Sequence, residues 1–278
     1  MADYLRPTSL DDALAALADR PWTMLAGGTD VYPANVGRPI ADDILDVTGL
    51  PSLRSIAIED GVVRIPALAT WTDLVRAELP PAFDGLKGAA RSIGGVQIQN
   101  RGTLAGNLCN ASPAADGLPN LMALDARVEL ASAGGRREVP VGEFVIGNRR
   151  TIRRPDELVI AVVVPMPSPS ARSTFLKLGS RAYLVISIAS VAAVIDVAPD
   201  GRVASARIVV GACSEVPARI EAAEARIVGQ PATGSLGASI AAEDFDVLSP
   251  IDDVRGTGAY RRDVATTLVR RAVSELVT

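Results

Sequence analysis

The stretch from Gln97 to Asp116 constrains what this chain can fold into more than any other part of it. It is small, polar and nearly free of side-chain bulk. Gly102, Ala105, Gly106 and Ala111 leave backbone N–H groups open to a ligand, and Thr103, Asn107, Asn110 and Ser112 add short hydrogen-bonding side chains. Asp116 closes the stretch with one carboxylate. Read as a loop, it exceeds an ordinary turn, and loops of that size inside compact domains usually carry function. Two readings follow: a Gly-rich connection between strands, or one wall of a phosphate or cofactor site.

A second segment answers it about seventy residues earlier. Leu25, Ala26, Gly27, Gly28, Thr29, Asp30 and Val31 follow the apolar run at Trp22 and precede a possible helical turn through Tyr32. A strand, then Gly-Gly-Thr, then a helix start exposes several N–H groups to an anion. No Gly-x-Gly-x-x-Gly dinucleotide fingerprint and no Gly-Lys pair of a triphosphate loop occurs in the chain. Two Gly-rich segments converging on one diphosphate is the arrangement that remains.

Composition removes other chemistries. The 278 residues contain no His and only Cys109 and Cys213. A usual zinc site or an iron–sulfur cluster needs about four Cys or His ligands, so neither is expected here. Ser-His and Cys-His catalytic pairs are excluded for the same reason. Redox chemistry would therefore have to reside in a bound organic cofactor. The net charge of −4 argues against nucleic acid as the main partner. No apolar run is long enough for a membrane span and no secretion signal is visible at the start, so a cytoplasmic chain is expected. Cys109 lies in the key stretch, as a reactive thiol or, the favoured reading, as a small buried residue.

Patterning predicts an α+β fold. A strand at Tyr4–Pro7, a helix capped by Thr8 or Ser9, and strands at 22–25 and 44–47 make a small lobe over residues 1 to about 55. A second lobe, 56–166, begins with a hairpin through Gly61. It continues with helices at 72–79 and 83–90, a helix at 119–124, strands at 128–131 and 137–139, and a buried β-branched strand at 157–164. The Pro-rich segment from Pro165 to Ser170 marks the clearest boundary. Beyond it, residues 171–278 read as a smaller domain: antiparallel strands at 173–178, 185–196 and 203–210, helices at 219–228 and 234–242, and a final amphipathic helix at 260–278.

With these residues in view, the chain resembles the FAD-binding medium subunit of the molybdenum hydroxylases, the family of xanthine dehydrogenase and carbon monoxide dehydrogenase. The likeness is carried by Ala26–Asp30 and Asn100–Asp116, by Phe175, Leu176, Lys177 and Arg181, and by the tail from Ile251 to Gly256 with Tyr260, Arg261 and Arg262. It implies a two-lobed FAD-binding domain of the vanillyl-alcohol-oxidase/PCMH type followed by a smaller α+β domain. It implies that the segments 25–31 and 103–107 clasp the FAD diphosphate, with Thr29, Thr103 and Asn107 adding side-chain contacts beside Leu104, Ala105 and Gly106. Asp116 matches an acidic residue on the ribityl or ribose hydroxyls; its other reading is a cap for the helix near Pro119. Ile93 and Val159 match apolar positions against the cofactor, Val159 being equally suited to a core strand. Lys177 matches a lysine at the pyrimidine edge of the flavin ring, where a fixed ammonium stabilises negative charge. Arg181 positions the ring-side loop or pairs with a surface carboxylate.

The resemblance also implies partners: a small iron–sulfur subunit and a large molybdenum-cofactor subunit, as a dimer of heterotrimers, with metal centres only there. The expected function is electron transfer from those clusters through FAD to an external acceptor. The alternatives are a stand-alone FAD oxidoreductase and an interaction subunit without cofactor. Ala105 stands where the family more often has Gly, adding a methyl to the second segment.

Overall fold

The computed structural model describes residues 2–278. The chain opens with β1 (Tyr4–Leu5), α1 (Leu10–Asp19), β2 (Thr23–Leu25), α2 (Val31–Ala34) and β3 (Ile44–Asp46). Ser9 begins α1 because its hydroxyl accepts the Asp12 N–H at 3.1 Å. Ala13, Leu14 and Leu17 recur at helical spacing and bury one face. The three strands form a parallel sheet in the order β1-β3-β2. This sheet delivers the chain from Leu25 straight into Gly27 and Gly28.

The next part holds β4 (Ala57–Glu59), β5 (Val62–Pro66), α3 (Trp71–Arg76), α4 (Asp84–Ser92), α5 (Val96–Gln99), α6 (Leu104–Asn110) and α7 (Gly117–Ala123). It continues with β6 (Arg127–Ser132), β7 (Gly135–Pro140), α8 (Val141–Phe144), β8 (Val145–Gly147), β9 (Arg150–Thr151) and β10 (Leu158–Pro165). Five of these strands make an antiparallel sheet, β4-β5-β10-β6-β7. β10 is central and buried over seven of its eight residues, which explains its unbroken β-branched sequence. One continuous apolar cluster runs from α1 and β3 through α3, α4, α6 and α7 to β10, so the two expected lobes share a core.

The last part comprises β11 (Arg172–Leu178), β12 (Ala189–Val197), β13 (Val203–Gly211), β14 (Ala218–Arg219), α9 (Glu221–Ile227) and α10 (Gly258–Leu276). Its sheet is antiparallel in chain order. Both faces are covered: Val191, Ala193 and Ile195 point to the cluster under α9 and α10, while Ala192 and Val194 alternate into the first core, beside α4 and α7.

Three expectations are corrected. The stretch 97–116 is not a loop: α5 and α6 occupy much of it, because Thr103 caps α6 through a 2.9 Å bond from the Gly106 N–H. Residues 185–188 are not strand; pairing with β11 starts at Ala189. The helix expected at 234–242 is only a 3-10 turn at Leu236–Ser239. There Gly237 packs on the Arg270 carbonyl, which a Cβ would meet at 2.1 Å.

Candidate flavin site

The segment between β2 and α2 lies directly on the segment before α6. A Cβ placed on Gly27 would stand 1.9 Å from the Arg101 carbonyl oxygen and 3.0 Å from the Gly102 Cα, so only glycine permits this approach. Gly102 in turn has Thr29 Oγ1 and Trp71 Cδ1 each 3.3 Å from the position a Cβ would take. Gly28 sits at φ +73, over the Tyr32 ring. None of the backbone N–H groups of Gly27, Gly28, Thr29 and Asp30 has a hydrogen-bond partner among the described residues. Unpaired N–H groups on consecutive residues form an anion-receiving nest.

The second segment behaves differently. Gly102 N–H donates to Ile98 O at 2.7 Å, Leu104 N–H to Ala69 O at 3.3 Å, and Asn107 N–H to Thr103 O at 3.0 Å. With Gly106 N–H held by the Thr103 hydroxyl, the free donors here are Thr103 N–H and Ala105 N–H. The Ala105 side chain is buried in the apolar core, so its methyl has a place beneath the surface.

Between the two segments opens a cleft of about 600 Å³. Of the residues singled out in the sequence, Ala26, Gly27, Gly28, Thr29, Asp30 and Val31 line one wall, and Thr103, Ala105, Gly106 and Asn107 the other. Ile93, at the end of α4, and Val159, beside a bulge in β10, supply apolar surface. Both tryptophans, Trp22 and Trp71, also face it. Leu25 and Leu104 are buried behind the walls instead.

Asp116 and Lys177 lie outside the cleft lining and hold each other. Lys177 Nζ is 2.7 Å from Asp116 Oδ2, and the Ser187 hydroxyl donates to Asp116 Oδ1 at 2.5 Å. All three are largely buried. Asp116 is adjacent to Gly117, where a Cβ would meet Trp71 Cη2 at 2.8 Å and Asn107 Oδ1 at 2.9 Å, both residues of the cleft wall. Its carboxylate makes no cap to α7, which disposes of the capping reading. Among the described residues Arg181 pairs with no carboxylate; its guanidinium donates to the Leu184 carbonyl and pins its own loop. Cys109 lines the cleft, and burial pushes its thiol up to about 11, against a weak opposite pull from Arg153. At neutral pH it is a thiol, not a nucleophilic thiolate.

Sequence reasoning passed over Arg149 and Arg153, both on the cleft. No spacing rule connects position 149 to position 30; the β8–β9 turn brings Arg149 there. Among the described residues no cluster of three or more His, Cys, Asp or Glu is placed to hold a metal, and no helix is long and apolar enough to cross a membrane.

Comparison with known proteins accords with this geometry. The family described as the FAD binding domain in molybdopterin dehydrogenase matches residues 1–167, and the CO dehydrogenase flavoprotein C-terminal domain matches residues 174–276. The xanthine dehydrogenase FAD-binding subunit of Escherichia coli O157:H7 is 30% identical over 281 residues, covering 99% of this chain and 96% of that protein. The glyceraldehyde dehydrogenase medium chain of Sulfolobus acidocaldarius is 31% identical, with 98% and 97% covered. The structure of reconstituted CO dehydrogenase from Oligotropha carboxidovorans superposes with a TM-score of 0.91 at 27% identity, covering 100% of this chain and 98% of that one. The chain thus belongs to the FAD-binding medium subunits of the molybdopterin dehydrogenases, the xanthine and carbon monoxide dehydrogenase family, and is an FAD subunit of an oxidoreductase.

Proposed function

We propose that this chain is the relay of a cytoplasmic, multi-subunit molybdenum hydroxylase, passing electrons from the iron–sulfur clusters of a small partner subunit to an external acceptor. The organic substrate would be oxidised in a large molybdenum-cofactor subunit, and the whole would assemble as a dimer of heterotrimers. FAD, when bound, supplies the exchange between one-electron and two-electron transfer. A sequence with no His and only two Cys suits that division of labour. The relatives' names span xanthine, glyceraldehyde and carbon monoxide at similar identity, which suits a substrate chosen elsewhere.

One observation carries the reading: four consecutive unpartnered N–H groups, from Gly27 to Asp30, facing a cleft whose other wall adds Thr103 and Ala105 N–H. A diphosphate is the anion such a pair of walls suits, since it accepts many hydrogen bonds without needing many cations. In this reading Thr29, Thr103 and Asn107 add side-chain contacts, and Ile93 and Val159 pack on the cofactor. Asp116 takes ribityl or ribose hydroxyls and Lys177 the pyrimidine edge of the ring, sharing the ion pair they form with one another. Residues 1–166 form the cofactor domain and 171–278 the second, with the Pro-rich link between β10 and β11 as the junction. The buried methyl of Ala105 weighs against a subunit that has lost its cofactor.

The test is flavin uptake. The chain co-expressed with its partner subunits is stripped of flavin and titrated with FAD. Because Trp22 and Trp71 both line the cleft, stoichiometric quenching of their emission is expected. A protein that releases no flavin on denaturation and shows no quenching overturns the reading. Full turnover by the chain alone, migrating as a single species on gel filtration, would favour a stand-alone oxidoreductase.

A further inference from the structure

Arg149 is held at φ +54, in the left-handed region that a long side chain seldom occupies. Its N–H donates to Ala111 O at 2.9 Å, directly after α6. Its Nη1 lies 2.7 Å from Asn110 Oδ1 and 3.1 Å from Asp30 Oδ2. One residue of the β8–β9 turn thereby touches both walls of the cleft. The contact does little for stability, because Arg149 is 63% and Asp30 53% exposed in their side chains, and such pairs are screened by water.

The electrostatics of the mouth give the contact another purpose. Asp30 carries a full negative charge on the very segment whose free N–H groups invite an anion, and its side chain caps nothing in α2. An unopposed carboxylate there repels an incoming diphosphate. Arg153, the other cation on the cleft, has its Nη1 committed to the Arg154 and Glu157 carbonyls. We propose that Arg149 is a positioning residue for the diphosphate of the cofactor: it cancels the Asp30 charge and aligns the two segments, which makes the cleft receptive to a dianion. This rests on the FAD reading above.

Three variants test it in the complex with its partner subunits: Arg149→Asn, which the left-handed backbone accepts, Asp30→Asn, and the double variant. Each is stripped and titrated with FAD at low and high salt. Arg149→Asn is expected to weaken FAD binding about tenfold at low ionic strength, less at about 0.5 M salt. Asp30→Asn alone should bind within about threefold of wild type, and the double variant should recover to the same range. Thermal midpoints should move by no more than about 2 °C, as befits an exposed pair. A double variant as weak as Arg149→Asn, or an Arg149→Asn protein that binds like wild type, overturns the inference while leaving the flavin site standing. Failure of the wild-type protein to take up FAD removes the site and this inference with it.

Discussion

The two segments that meet at the cleft have similar compositions and opposite economies. From Gly27 to Asp30 no backbone N–H has a partner among the described residues, while from Gly102 to Asn107 those of Gly102, Leu104, Gly106 and Asn107 are committed to the chain. The first segment is a receiving surface held in place by its neighbours. The second is a scaffold: it seats Gly27, caps α6 through Thr103, and ends in a carboxylate buried against Lys177. The lesson is that open-looking residues need not be open. Short polar side chains also satisfy a helix start, and then the donors they seemed to leave free are spent.

If this contrast is right, substitutions in the scaffold should lower stability and those in the receiving surface should lower flavin affinity. The largest effect is expected from Asp116→Ala, which leaves Lys177 buried without its partner. Urea unfolding should show a loss of about 3 kcal/mol or more. A loss below about 1 kcal/mol would deny Asp116 its scaffold role and leave it the contact with the cofactor alone. Next is Gly27→Ala, whose methyl would collide with the Arg101 carbonyl. Overpacking of this kind costs about 1–3 kcal/mol, and because it parts the two segments, flavin content should fall much further than the unfolding midpoint suggests.

A paired comparison comes third. Thr103→Ala removes the α6 cap and should cost about 1 kcal/mol, whereas Thr29→Ala should leave the unfolding midpoint unchanged and weaken FAD binding alone. Equal stability losses for both would erase the distinction between the segments. The smallest effect concerns acid. Asp46, at the end of β3 and opposite Leu25 in the sheet, has its pKa pushed up by burial. Hydrogen bonds from Thr48 and Tyr4 outweigh that and hold it below the usual carboxylate value. Its contribution is therefore full above about pH 4 and fades as pH falls through the lower folded value. Acid unfolding of Asp46→Asn followed by tryptophan emission should converge on wild type at the lowest pH. A gap that widened with acid would contradict the assignment.

Much was legible in advance. The absence of His and the scarcity of Cys confined any redox chemistry to an organic cofactor, and the two small-residue segments pointed to the cleft. Residues 128–131 and 157–164 read directly as strands because burial on a sheet leaves a plain pattern. Less legible were the helices inside 97–116, since α5 and α6 are too short to show a period and α6 is held by the Thr103 cap and by packing on α7 and β10. The mutual pairing of Asp116 with Lys177 and the reach of Arg149 to Asp30 join positions 61 and 119 residues apart. No local pattern encodes such contacts.

The amino-acid sequence by itself determined which groups this chain can offer: glycines where backbones must touch, short hydroxyls and amides, and too few Cys and His for a usual zinc site or an iron–sulfur cluster. Those are properties of residue type and local spacing. Only the tertiary structure decided which N–H groups stay unpaired and which charges face one another. Both depend on how β2, α6 and the β8–β9 turn are packed around a shared core, and packing is a relation between distant residues.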